Sequence, residues 1–90
     1  MYIHLGQEKV VKSRDIIGIF DLESTTISQR GRDFLAKAEK KGEVVTVSYE
    51  LPKSFILCSE KGSKKSTVYI SQISSQTLQK RSGMIINSEK

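Results

Sequence analysis

The sequence predicts a small α+β domain. The expected architecture is a bent antiparallel β-sheet or half-barrel with one main covering helix and a short C-terminal helix. Three observations predict it. Short apolar stretches alternating with polar residues recur on both sides of residues 27–41, as half-buried strands require. Residues 27–41 themselves carry their apolar positions on one helical face. The chain has 90 residues, enough for one modest core, since a chain of this size buries only roughly 60–65% of its unfolded surface. The expected order is β-β-α-β-β-β-α, with one domain over 1–82 and a tail over 83–90.

The elements follow in order. Tyr2 to Leu5 is β-prone and ends at Gly6, and "GQEK" reads as a turn. Val10-Val11 resumes a strand that Asp15 to Leu22 extends. Between them Lys12-Ser13-Arg14-Asp15 interrupts the apolar pattern, which suits a bulge that bends the strand and re-aims side chains. Ser24, Thr25 and Thr26 are competent helix caps. Ile27, Gly31, Phe34, Leu35 and Ala38 fall at i, i+4, i+7, i+8 and i+11, one face of a helix over 27–41. Gly42 closes it, after Lys40-Lys41 that suit its negative end. Gly31 costs about 1 kcal/mol relative to Ala inside that helix, so a close approach of the backbone to the sheet is expected there. "EVVTVSYELP" alternates as a strand until Pro52, which cannot donate to a central ladder. "KSFILCS" and "TVYISQI" are two more strands, joined by the polar loop "EKGSKKS". "SSQTLQKRSG" is the short last helix, with Ser75 as cap and Gly83 as stop. The tail "GMIINSEK" holds Met84, Ile85 and Ile86, available to pack on the body or on a neighbouring chain.

Charge narrows the function classes. The net charge is +5. Residues 1–50 hold eight basic and eight acidic side chains, whereas residues 51–90 hold seven basic and two acidic, which supplies the whole excess. Such asymmetry points to a polyanionic partner, nucleic acid before a membrane surface. The single Cys58 lies in an apolar run, where it behaves as a small hydrophobe, and it fits a reducing cytoplasm. The start, "MYIHLGQEKV", has no basic region followed by an apolar one, and no apolar run approaches the roughly 20 residues of a membrane helix. A cytoplasmic protein is expected.

Catalytic chemistry finds little to use. His4 is the one histidine and is expected at the surface. Cys58 has no histidine nearby in sequence, and a thiol nucleophile needs a base. The chain cannot assemble a zinc ligand set, its carboxylates are scattered singly beside basic residues, and its glycines are isolated rather than grouped in a phosphate loop. No enzyme activity, metal or cofactor is expected. The basic residues form the stronger constellation. Lys12 and Arg14 are two apart, so on a strand they share a face, with Asp15 placed either to orient Arg14 or to satisfy nearby backbone N–H groups. Lys53 follows Pro52, and Lys61, Lys64 and Lys65 crowd one loop. Arg14, Lys12, Lys53, Lys61, Lys64 and Lys65 are the candidate nucleic-acid contacts, directed at phosphates. No helix-turn-helix pair is evident, because three strands separate the helices, and the aromatics sit at core-patterned positions.

"MYIHLG", "VVKSRDIIGIFDLE" and, near the end, "SSQTLQKR" resemble the bacterial extracellular matrix regulatory protein B family (RemB or YaaB), related to the DNA-binding biofilm regulator RemA. The resemblance spans about residues 1–82. It implies a cytoplasmic, non-enzymatic transcription regulator of biofilm-matrix genes that assembles into a homo-oligomeric ring and binds DNA around it. A paralogous regulator is a further implied partner. Arg14 matches the family arginine at the strand break. The chain departs from the family where RemA proteins carry paired arginines, after the strand matching "VTVSYE": Leu51-Pro52-Lys53 stand there. Two readings stay open. One is a DNA-binding regulator that uses Arg14, Lys53 and the 61–65 loop. The other is a ring-forming interaction protein that has lost direct DNA binding.

Overall fold

The computed structural model describes residues 1–47, 50–60 and 62–83. Strands β1 (Tyr2–Gly6) and β2 (Lys9–Lys12) form an antiparallel hairpin. A 3₁₀ turn, Ser13–Asp15, leads into β3 (Ile16–Asp21). Two helices follow, α1 (Leu22–Ile27) and α2 (Gln29–Lys40), then β4 (Val44–Thr46), β5 (Ser54–Ser59), β6 (Ser66–Ser71) and α3 (Ser75–Ser82). The hairpin is one sheet, and the other four strands form a second, in the order β3-β5-β6-β4. The mixed α+β class stands, with small open sheets and no closed barrel.

Alternation along β5 explains the layering. Ile56 and Cys58 pack with Ile3, Leu5 and Val11 of the hairpin, Ile16 and Ile19 of β3, and Leu78 of α3. Phe55, one residue out of phase, packs with Val68 and with Ala38 of α2, beside Leu22 and Leu35. Side chains one apart on a strand face opposite ways. The four-stranded sheet is therefore sandwiched, hairpin and α3 on one face, α1 and α2 on the other. Ser54 and Ser71 are paired across β5 and β6 and are fully buried. The Ser71 hydroxyl donates to the Leu5 carbonyl at 2.6 Å and accepts from the Ile73 amide at 3.0 Å, while the Ser54 hydroxyl donates to the Ile73 carbonyl at 2.7 Å. These bonds satisfy the buried hydroxyls, as burial requires, and they tie the hairpin to the central sheet.

Several expectations are corrected. The second strand does not bulge at 12–15. It ends, turns, and re-enters a different sheet as β3; the register shift lies one step later, between Ile16 and Gly18. The single helix over 27–41 is two helices. Asp21 caps α1 by accepting from the Ser24 amide at 2.8 Å, and Ser28 caps α2 by accepting from the Gly31 amide at 3.0 Å. Ser24, Thr25 and Thr26 therefore lie inside α1 rather than at its cap. Arg32 holds the junction, donating to the Thr26 carbonyl at 2.7 Å and the Ile27 carbonyl at 3.1 Å. Gly31 does mark a close approach, but to α1 and not to the sheet: a Cβ there would lie 2.0 Å from the Thr25 carbonyl oxygen. Ser74, not Ser75, caps α3, accepting from the Thr77 amide.

The four-stranded sheet is antiparallel except at one edge, where β4 runs parallel to β6. The chain leaves β4 and re-enters at β5, on the far side of β6. It then returns by the β5–β6 hairpin. Val47 and Lys53 both sit at the same end of β6, the Val47 amide donating to the Ile70 carbonyl and the Lys53 amide to the Ser71 carbonyl, each at 2.9 Å, and Leu51 and Pro52 stay exposed. Ser48, Tyr49, Lys61 and the tail beyond Gly83 lie outside the described residues, so the expectations for Tyr49, for Lys61 and for Met84, Ile85 and Ile86 fall there too.

Candidate functional site

The charged quartet of residues 12–15 is the corner where the chain changes sheets. Lys12 is still extended, at φ −77° and ψ 135°, and Ile16 is extended again after the 3₁₀ turn. The Ser13 amide donates to the Met1 carbonyl at 2.9 Å, which fixes the exit from the hairpin. A change of sheet exposes the connecting residues, so apolar side chains are disfavoured there and Arg14 projects into solvent. Among the described residues no hydrogen bond or ion pair joins Arg14 to Asp15. Asp15 is half-buried and lies on the Cys58 side of the corner.

A cleft of about 470 Å³ opens beside this corner. Its walls are the hairpin with the 3₁₀ turn on one side and the β5–β6 turn on the other. Lys9, Lys12, Arg14 and Lys65 converge on it, against two carboxylates, Asp15 and Glu60. An adjoining hollow is lined by Met1, Tyr2, Lys12, Ser13 and Arg14. Register explains the convergence. Tyr2 pairs with Lys12, Ile16 pairs with Cys58, and Cys58 pairs with Thr67, so the starts of β1, β3 and β6 meet at the ends of β2 and β5. The Lys9 ammonium lies over the Tyr69 ring, 4.9 Å from its centroid, a cation–π contact. Cys58 is buried in the floor. Burial pushes its thiol up to about 11, Asp15 adds to the rise, and Lys9 partly offsets it. The thiol is neutral at physiological pH and offers no nucleophile there.

The expected site residues separate into groups. Lys12, Arg14 and Lys65 come together at the cleft. Lys64 is exposed in the same β5–β6 turn but does not line it. Lys53 precedes the opposite end of β5, where Ser54 pairs with Asp21, and its carbonyl accepts from the Leu22 amide at 2.9 Å. Five strand steps, on the order of 17 Å, separate it from the cleft. Lys9, Tyr2 and Tyr69 are cleft residues that sequence reasoning missed. The signal was present for Lys9, the first residue after the hairpin turn, but only the folding of β6 against the hairpin brings Tyr69 beneath it. Among the described residues no group of three or more His, Cys, Asp or Glu is placed to hold a metal ion, and no helix is long and apolar enough to cross a membrane.

Comparison with known proteins agrees with this geometry in extent. Residues 2–82 match the RemA-like family, described as extracellular matrix regulatory protein A-like. The chain is also 41% identical over 81 residues to Extracellular matrix regulatory protein B of Bacillus subtilis (strain 168), covering 90% of this chain and 89% of that protein. The matched span runs from the first strand to the last helix, and the chain belongs to the RemA-like family.

Proposed function

We propose that the chain is a non-enzymatic regulator of extracellular-matrix genes that assembles with copies of itself and binds the DNA phosphate backbone. Family membership supports the regulatory part. The observation that carries the DNA part is the convergence of Lys12, Arg14 and Lys65 on one open cleft. Flexible cations round a concavity focus field toward a polyanion, and phosphate contacts of this kind position a protein on a duplex without reading its sequence. Lys64 adds charge beside the cleft. Lys53 adds a separate contact at the other end of β5, in the segment where Leu51-Pro52-Lys53 stand. Repetition in a ring multiplies a modest basic patch into a high-avidity surface. The working place for such a regulator is the cytoplasm.

A second reading has its own observation. Leu51 is 79% exposed and Ile27 75% exposed, large apolar side chains suited to a protein partner, a paralogous regulator included. The readings separate on salt. Labelled duplex titrated with the protein at several salt concentrations is expected to bind with an affinity that falls steeply as salt rises. Absence of binding at low salt, with a salt-insensitive oligomer, would favour the protein-interaction reading.

A further inference from the structure

The cleft extends inward from the corner, past the rim that a duplex could reach. Arg14, Lys12 and Lys65 are exposed at the rim, whereas Lys9, Thr67 and Tyr69 are half-buried and Cys58 is buried. A duplex carries its phosphates on its outside and cannot enter a cavity of about 470 Å³. That volume lies in the range of small-molecule sites, roughly 300–1,000 Å³. The cleft lining therefore exceeds what backbone contact requires.

Its chemistry is selective. Among the described residues no carboxylate forms an ion pair with Lys9; its ammonium rests on the Tyr69 ring. An ammonium held this way keeps its N–H donors available to an anion, and hydrogen bonds between ions are about twice as strong as neutral ones. Among the described residues four cations and two carboxylates line the cleft, and the neutral Cys58 thiol adds no further negative charge. The Thr67 hydroxyl supplies a neutral donor. Tyr2 lines both the cleft and the adjoining hollow and is 64% exposed, a free aromatic face beside Lys12. A flat base can stack on such a face, whatever its identity.

We propose that this cleft binds a free nucleotide, its phosphate chain on Lys9 and Lys65 and its base against Tyr2. The inference rests on reading the cleft as a phosphate site, but not on DNA binding as such. Since Lys12, Arg14 and Lys65 line one cleft, a nucleotide phosphate bound there offsets the positive charge that a duplex would use, which makes the ligand an effector of DNA binding.

The test is fluorescence anisotropy of mant-ATP titrated with the protein, beside the duplex titration. Variants Lys9→Met and Lys65→Met keep the side-chain stem, and Lys40→Ala on α2 removes a distant charge. Wild type and Lys40→Ala are expected to bind mant-ATP equally. Lys9→Met is expected to bind it about 10-fold more weakly, as loss of a charged hydrogen bond predicts, with duplex affinity changed less than about twofold. Tyr2→Ala is expected to weaken mant-ATP but not inorganic pyrophosphate. No anisotropy change, or equal weakening by all three lysine variants, would overturn the cleft site. Displacement of mant-ATP by pyrophosphate as readily as by unlabelled ATP would overturn the nucleotide assignment. Mant-ATP binding without duplex binding would instead overturn the DNA reading and the effector role, and leave the nucleotide site standing.

Discussion

At Gly31 helix propensity and packing pull in opposite directions. In an isolated helix, Gly to Ala gains about 1 kcal/mol. Here the added Cβ would meet the Thr25 carbonyl at 2.0 Å, and backbone cannot swing aside as a side-chain tip does. Gly31→Ala is expected to destabilise by about 1–3 kcal/mol, as overpacking does, with urea denaturation as the check. Ser71 is a second sensitive position. Its hydroxyl serves the Leu5 carbonyl and the Ile73 amide at once, so Ser71→Ala strands both and is expected to cost about 1–3 kcal/mol. Cys58 adds a pH dependence. Its thiol is raised from 9.0 to about 11 by folding, so the folded state favours the protonated form. The resulting stability is fully present below pH 9 and is lost as pH rises through 11. Cys58→Ser is expected to flatten the decline in stability over that window, followed by denaturation at several alkaline pH values. A steep decline that persists in the variant would place its cause elsewhere.

At the scale of elements, the two caps decide where α1 ends and α2 begins. Asp21→Ala and Ser28→Ala are each expected to lose about 1 kcal/mol, and loss of the Ser28 cap should also release Arg32 from the α1 carbonyls. Thermal melts of the two variants, alone and combined, measure this. Additive losses would show that the caps act independently. β1 was legible from its alternation, which reports one buried face, whereas β5 and β6 were legible as short apolar runs bounded by polar turns, because both sheet faces are covered there. The break in "VVKSRDIIGIFD" was legible as a break but not as a change of sheet, since the sequence carries the polarity of a corner and not the identity of the strand beyond it. The α1–α2 division was hidden because Ser28 reads equally as a mid-helix residue until the chain turns there. β4 was read as antiparallel because adjacent strands usually pair as hairpins. The placing of β4 and β5 on opposite sides of β6 depends on long-range packing that no local pattern records. Of the site, Lys12, Arg14 and Lys65 were legible as charges in exposed turns, whereas their convergence, and the part of Lys9 and Tyr69 in it, required the register between strands.

For the whole molecule, the open sheet and the exposed apolar side chains leave much of the surface to be used by partners. Chains of this size commonly gain stability through association, and self-association is expected to appear as a single closed species by native mass spectrometry. A ladder of species growing with concentration would instead indicate open-ended addition. The central claim is that the corner at Lys12 and Arg14 carries the DNA phosphate contact. The measurement that tests it most directly is the slope of duplex affinity against salt for wild type and Arg14→Ala, with the oligomer mass followed in both. Each lost phosphate contact reduces that slope by about 0.9. The account predicts an unchanged oligomer, weaker binding across all duplex sequences, and a shallower slope in Arg14→Ala. An unchanged slope with an intact oligomer would contradict it, and loss of the oligomer itself would make Arg14 a structural residue instead.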